Sequence, residues 1–260
     1  MGKASQASLG HSSLDKIRSH LEHVAPPSGD FDPNGAWERP YVMCLARLDN
    51  PAGAANVGTL RLQRIPAVPA ADHFILVVEQ SARMGGASQQ TKAEIVCHND
   101  ALASLQSWKL DSVTVGLDGK PREETRVREA MDALGDGVFR LGQESLRRKA
   151  IRGRNSAPPT CNWSLMEAVQ RLQRLPPGEA PPPSFDMLED LDALRTNQTI
   201  TLCGEIEAIL GGAKVPLIGY VQMGEGLQPT HYWLDKQRRL LIVAGGNRAL
   251  ILRNGGEGSK

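Results

Sequence analysis

Alternation of apolar and polar residues, the period of a β-strand, runs through most of the chain. In the segment 58–64, Leu60 and Leu62 point to one side of the strand while Arg61 points to the other. One side of such a strand faces a core, and the other faces solvent or a ligand. The same period predicts five strands in the first half of the chain, at 41–48, 57–64, 74–80, 91–97 and 108–115.

The last third of the chain returns to this period. Gly211 and Gly212 make a tight turn between two strands, and the loop 235–238 joins two others as a hairpin. Short strands connected by tight turns are typical of an antiparallel meander. The predicted strands are 199–208, 215–223, 230–235, 240–244 and 249–253.

Helical spacing of apolar residues appears in shorter segments. A first helix is predicted over 12–24, because Leu14, Ile17 and Leu21 share one stripe, and we expect it to lie on the main body. Two further helices are predicted over 162–175 and 184–194, separated by a proline-rich spacer.

The segment after residue 118 fits two structures. The residues 121–134 are helix formers with apolar members on one stripe, which predicts a helix that ends at Gly135. The turn residues at 135–137 support instead a strand and a hairpin that leads into 138–141. The helix is our first interpretation and the hairpin is the alternative.

Together these elements predict an α+β protein that is mainly antiparallel β, with a curved sheet or half-barrel and helices packed on one side. We divide the chain into residues 1–35 (tail and amphipathic helix), 36–155 (first antiparallel β-meander) and 156–260 (helices and second antiparallel β-meander). One continuous domain is the alternative, since 260 residues fit one large β-rich domain or two small ones.

The net charge and hydropathy of the chain limit the classes of partner that we expect it to bind. The formal net charge is only +1, so the chain has no overall attraction to nucleic acid or an anionic membrane, and we expect no nucleic-acid partner. No apolar run approaches the roughly 20 residues that span a bilayer. The first thirty residues lack the apolar core of a secretory signal. We expect a cytoplasmic protein, or a periplasmic or extracytoplasmic one if a signal was trimmed.

The cysteines are widely spaced and form no C-x-x-C pair, unlike those of zinc or thiol redox sites. We expect buried, small apolar side chains, and the even count also permits two disulfides in an exported protein. The four positions are Cys44, Cys97, Cys161 and Cys203.

Metal and cofactor motifs are missing from the sequence. His20 and His23 could share a helix face, but no further ligand stands near them. The sequence contains no phosphate-binding glycine loop, nucleophile elbow or dinucleotide fingerprint. We therefore predict neither a metal site nor a cofactor.

Two neighbouring strands near the C-terminus concentrate aromatic and titratable residues. Alternate residues of a strand share a face, so each strand contributes one row of such side chains. If the strands pair across the turn 224–226, the two rows line one concave patch, which is typical of a small-molecule pocket. Ordinary cross-strand core packing is the alternative. The predicted ligand-binding residues are Tyr220, Gln222, His231, Trp233 and Asp235.

For catalysis, the candidates are His231 with Glu205 or Asp235 as a proton-transfer pair. Regular strand geometry places His231 and Asp235 about 13 Å apart, so they do not touch. The carboxylate would have to come from another strand.

A basic cluster stands between the two halves of the chain. Dense positive charge could contact phosphate or an acidic partner. No aromatic residues are interleaved for stacking, which favours a solvated linker. The cluster consists of Arg147, Arg148, Lys149, Arg152 and Arg154.

The overall pattern resembles the half-barrel lipoprotein carriers of the bacterial envelope. It consists of the meander from Gly58-Thr59-Leu60, the central helices, and Tyr232-Trp233-Leu234-Asp235 followed by Leu240-Leu241-Ile242-Val243. The resemblance spans the whole chain by pattern and implies a curved sheet, covered by helices, with an apolar concave face for acyl chains. The missing signal segment and the proline-rich spacer depart from it.

We therefore expect non-enzymatic binding of an apolar or amphipathic small molecule, or of a partner protein, on the concave face of the sheet. One alternative is a hydrolase or lyase that acts on a carbohydrate or ester using His231 with a carboxylate. The other is an assembly subunit that docks through the basic segment.

Overall fold

The computed structural model describes residues 14–15, 17–22, 24, 26–45, 55–67, 72–148, 157–172, 184–226 and 228–253. Several predicted features lie outside these residues. They are the helix start at residue 12, His23, the strand end at 46–48, Lys149, Arg152, Arg154 and the helix end at 173–175.

Within the described residues, fifteen strands form one sheet. The strands are β1 (Trp37–Leu45), β2 (Ala55–Pro66), β3 (His73–Met84), β4 (Ala87–His98), β5 (Leu105–Val115), β6 (Pro121–Asp132), β7 (Gly137–Leu141), β8 (Glu144–Arg148), β9 (Thr160–Cys161), β10 (Phe185–Glu189), β11 (Ala193–Leu210), β12 (Ala213–Met223), β13 (Thr230–Leu234), β14 (Leu240–Gly245) and β15 (Arg248–Leu252). Two helices are described, α1 (Arg18–Leu21) and α2 (Asn162–Arg171).

The strand order joins the two meanders edge to edge. It runs from β8 down to β1, continues to β15, and then runs down to β9. The link is the antiparallel pair of β1 and β15, in which Tyr41 lies opposite Leu252. All neighbours are antiparallel except β9 and β10, which are parallel. The first strand of the first meander therefore pairs with the last strand of the second.

The sheet is curled, and contacts connect its two ends. The backbone N–H of Leu105, at the start of β5, donates to the carbonyl of Pro159, next to β9 (2.8 Å). Arg148 in β8 forms salt bridges with Glu129 (2.7 Å) and with Asp192 in the turn between β10 and β11 (3.1 Å). The sheet thus bends back on itself around an interior.

Helix α2 occupies this interior. Every residue from 163 to 170 is buried, including Glu167 and Gln170, so the helix has no solvent-facing side. The helix begins at a capping box in which the thiol of Cys161 accepts from the N–H of Ser164, and the Ser164 hydroxyl accepts from the N–H of Cys161. We call the sheet face that surrounds α2 the inner face.

Two buried polar contacts fix α2 within the curl. Glu167 accepts hydrogen bonds from Arg64 in β2 (2.9 Å) and from Arg171 one turn later (2.7 Å). At the C-terminal end of α2, Arg238 donates to the carbonyls of Val169 (3.1 Å) and Gln170 (2.8 Å), where a helix leaves its last carbonyls without partners.

The N-terminal segment packs against the sheet. Leu14, Ile17 and Leu21 are buried as the predicted stripe requires. The N–H of Gly211 donates to the carbonyl of Leu21 (2.9 Å), which attaches α1 to the hairpin between β11 and β12.

The predicted fold class, a mainly antiparallel, curved sheet with packed helices, is confirmed. For ten strands the sequence pattern allows no alternative, and these ten correspond to β1–β5 and β11–β15. All four cysteines are free thiols; three are buried and Cys203 is half-buried.

Two helix predictions are wrong. The segment 121–134 forms the alternative hairpin of β6 and β7, in which Glu129, Met131 and Ala133 are buried at alternate positions. The segment 184–194 forms β10, a turn and the start of β11. Asp190 and Leu191 have φ of +52° and +60°, which a right-handed helix does not contain.

Candidate functional site

The register of β12 and β13 separates the predicted site residues. Tyr220 lies directly opposite Tyr232, and opposed residues of an antiparallel pair point to the same face. Tyr220 and Gln222 therefore share the inner face with Tyr232. His231 and Trp233 alternate with Tyr232 and point outward, so the predicted residues do not line one patch.

His231 and Trp233 belong to a packed layer on the outer face. Their rings stack with centroids 6.2 Å apart, and the side chains are 6% and 1% exposed. A Cβ at Gly219 would lie 2.3 Å from Cζ3 of Trp233, so the absence of a side chain there makes room for the indole. Burial lowers the pKa of His231, which favours the neutral imidazole. This is the core-packing alternative rather than a ligand surface.

The predicted proton-transfer pair is not formed. Asp235 Oδ1 accepts from the backbone N–H groups of Gln237 and Arg239 (both 2.9 Å), so this carboxylate organises the turn after β13. Glu205 lies opposite Ile218, which places it on the face opposite to that of His231. Neither carboxylate therefore orients the imidazole.

A pocket of about 180 Å³ lies on the inner face, between α2 and strands from both halves of the sheet. We call it the inner pocket. Its apolar wall includes three methionines, an indole and a phenol, all nearly fully buried. These residues are Met43, Met166, Met187, Trp163 and Tyr232. Unbranched methionine side chains adapt to ligands of different shape.

The polar groups in the wall are bonded to one another. Tyr232 donates to Oε1 of Gln222 (2.8 Å), and the amide nitrogen of Gln222 donates to Gln198 (3.1 Å). Trp163 Nε1 donates to Oε1 of Gln80 (3.4 Å). Burial raises the pKa of Tyr232, which keeps the phenol protonated as a donor. The wall is therefore held in place by the protein itself.

The mouth of the inner pocket is charged. Glu189, Asp190 and Arg248 line it, together with Asn162 at the start of α2. Arg195 neutralises Glu189 by donating twice to its Oε2 (3.0 and 2.7 Å). The pocket thus combines an apolar interior with an exposed polar rim, which suits an amphipathic ligand.

A second hollow, of about 560 Å³, lies on the outer face of β3 to β7, and we call it the outer trough. Its charged residues pair with one another. Glu79 forms salt bridges with Arg61 and Lys92 (both 3.2 Å), and all three side chains are exposed. Exposed ion pairs of this kind are common on solvated surfaces and contribute little.

The sequence pattern predicts Gln222 as a ligand-binding residue, but it does not predict the apolar wall of the inner pocket. Alternation places Tyr232 on the face away from the predicted site, Met166 falls on the apolar stripe of the predicted helix, and no motif marks Trp163. Arg248 begins β15 and belongs to no motif in the sequence. The one available signal was the concentration of methionine and aromatic residues in segments that flank the predicted core.

Other candidate sites receive no support from the described residues. Among them, no three His, Cys, Asp or Glu side chains cluster as metal ligands. None of the described helices is long and apolar enough to cross a membrane. Of the basic cluster, Arg148 is engaged by Glu129 and Asp192 of the same chain.

Comparison with known proteins finds one solved structure that aligns with most of the chain. No protein-family model matches the chain, and no curated protein matches it either. A solved β-barrel-like protein from Brucella abortus, described as a domain of unknown function DUF1849, aligns with a TM-score of 0.46 and 11% sequence identity. The alignment covers 85% of this chain and 95% of that protein.

Proposed function

We propose that the protein binds a small amphipathic molecule in the inner pocket and carries out no chemistry on it. One observation carries the proposal: an apolar, methionine-rich hollow between α2 and the sheet opens through a charged mouth. An amphipathic ligand would bury its apolar body in the hollow and leave its polar head at the rim.

The volume of the inner pocket sets the size of the apolar part. An apolar cavity of roughly 150 Å³ accommodates benzene, so about 180 Å³ suits a single ring or a short branched chain. The resemblance to lipoprotein carriers implied a full acyl chain on the concave face. Because the hollow beside α2 has only this volume, we propose a shorter apolar group.

The polar groups around the pocket support binding rather than catalysis. They are amides, a protonated phenol and charged groups at the rim, and the candidate imidazole His231 lies on the other face of the sheet. A general base must reach the proton that it abstracts. His231 does not reach a ligand in this pocket.

A matched pair of variants tests the proposal. Val243 lines the inner pocket and Val77 lines the outer trough, and both are half-buried strand residues. We expect Val243→Phe to fill the pocket and weaken binding of 2-phenylethanol at least about ten-fold, a loss of about 1.4 kcal/mol. Val77→Phe should bind like the wild type. Isothermal titration calorimetry measures both affinities.

Circular dichroism and thermal unfolding of both variants control for folding. Unchanged affinity in folded Val243→Phe, or a loss of binding in Val77→Phe instead, would contradict the proposal.

A further inference from the structure

The mouth of the inner pocket contains an arginine that has no hydrogen-bonding partner among the residues that the structure describes. Among the described residues, the guanidinium of Arg248 makes no hydrogen bond and no salt bridge; its interaction is a longer-range attraction to Asp190. Arg248 directly precedes Ala249 and Leu250, which line the same pocket. An arginine presents a planar fork of donors that matches a carboxylate. This fork is available to a ligand.

An acid stands beside it. Asp190 Oδ1 accepts from Nδ2 of Asn162 (2.9 Å), and its backbone N–H donates to Oδ1 of Asn162 (2.9 Å). These two bonds hold Asp190 against the start of α2 and leave its Oδ2 without a hydrogen bond in the described part of the chain. Although the residue is exposed, surrounding protein atoms desolvate the carboxyl group and raise its pKa, and the charge of Arg248 opposes this rise. A cationic group at Oδ2 would stabilise the ionised form further.

The other acid at the mouth already has a basic partner. Glu189 receives two hydrogen bonds from Arg195, although its charge still raises the pKa of Asp190. The available groups are therefore one base and one acid, Arg248 and Asp190, at the same opening.

We propose that the ligand has a zwitterionic head group, an ammonium beside a carboxylate as in an α-amino acid, with an apolar side chain in the pocket. This inference rests on the proposed function. The carboxylate would pair with Arg248 and the ammonium with Asp190, while the apolar group enters the hollow between Trp163 and Met187. The capacity of the pocket for a single ring or short branched chain matches an apolar amino-acid side chain.

A singly charged ligand fits this mouth less well. A plain carboxylate would gain Arg248 but would meet the like charge of Asp190, and a plain amine would gain Asp190 but would meet Arg248. A zwitterion gains both attractions. Its carboxylate lies away from Asp190, and its ammonium lies away from Arg248. Complementary charge of this kind determines specificity.

Four ligands with the same ring separate these cases. L-phenylalanine carries both charges, 3-phenylpropanoate lacks the ammonium, 2-phenylethylamine lacks the carboxylate, and 2-phenylethanol is neutral. We expect L-phenylalanine to bind at least about ten-fold tighter than either singly charged ligand, measured by calorimetry, since each additional charged contact contributes on the order of a factor of ten.

Two substitutions identify the contacts. Arg248→Gln should reduce the affinity for L-phenylalanine and 3-phenylpropanoate but not for 2-phenylethylamine. Asp190→Asn should reduce the affinity for L-phenylalanine and 2-phenylethylamine but not for 3-phenylpropanoate, and asparagine tolerates the φ of +52° at this position. Arg253→Gln, an exposed arginine just after the same strand, is the matched control and should bind all four ligands unchanged.

The outcomes distinguish this inference from the proposed function. If all four ligands bind with affinities within about three-fold, the zwitterion assignment is overturned while binding in the inner pocket stands. Tightest binding by a singly charged ligand overturns it as well. If none of the four binds, including the neutral alcohol, the proposed function itself fails.

Discussion

Replacing Glu167 with glutamine should lower the free energy of unfolding by about 3–5 kcal/mol, the usual cost of breaking a buried ion pair from one side. Glu167 is 0% exposed and is the carboxylate partner of both Arg64 and Arg171. Its removal leaves the 3% exposed Arg64 without a counter-charge in the interior, where an unpaired charge is costly. Urea denaturation measures the loss.

An exposed ion pair in the same sheet provides the control for this prediction. Glu38 contacts Arg61 at 2.6 Å, but its side chain is 45% exposed. We expect Glu38→Gln to cost less than about 1 kcal/mol, because solvent screens exposed pairs. Equal losses in the two variants would contradict the interior position of α2 and its attachment to β2.

Replacing Trp163 with alanine should cost about 3–5 kcal/mol, through lost burial and the cavity that remains. Trp163 is 2% exposed, and it connects α2 to the sheet by packing and by the hydrogen bond from its indole to Gln80. The cavity would merge with the inner pocket, so neighbouring side chains could close it only by moving the helix. Guanidinium denaturation, followed by circular dichroism, measures the change in stability.

Trp163→Phe separates the loss of bulk from the loss of the indole. Phenylalanine keeps most of the apolar contact, so we expect a clearly smaller loss of stability than for alanine. If alanine were tolerated as well as phenylalanine, Trp163 would not be a packing residue between helix and sheet.

The sequence pattern predicts most of this fold because most strands have one buried and one exposed face. In β4, for example, Thr91, Ala93, Ile95 and Cys97 are buried at alternate positions, which is the period of a strand. The pattern was ambiguous in β6, where the apolar residues of an exposed strand happened to fall at helical spacing. In β10, four consecutive buried residues show no alternation, so periodicity alone did not separate strand from helix.

The predicted site residues lie on two paired strands, but their side chains do not share one face as the prediction assumed. Grouping Tyr220 with His231 assumed a pairing one residue away from the observed one, in which Tyr220 opposes Tyr232. Shifting a register by one residue exchanges the two faces of a strand. The turn between β12 and β13 determines that register, and its sequence does not specify a single turn type.

The inner pocket itself could not be predicted from local pattern. Its wall combines Met43 of β1, Met166 of α2 and Met187 of β10, which are far apart in sequence. They meet because the sheet curls around a helix that is buried on all sides. A helix with a narrow apolar stripe is expected on a surface, and the buried polar partners of Glu167 and Gln170 allow this one to lie inside.

The methionine methyl spectrum tests the account most directly. In protein labelled with ¹³C at the methionine methyl groups, saturating 2-phenylethanol should shift the signals of Met43, Met166 and Met187, which line the inner pocket. The signals of Met131, buried on β6, and of Met223, exposed on β12, should not move. Shifts confined to Met131 or Met223, with the three pocket methionines unchanged, would contradict binding between α2 and the curled sheet.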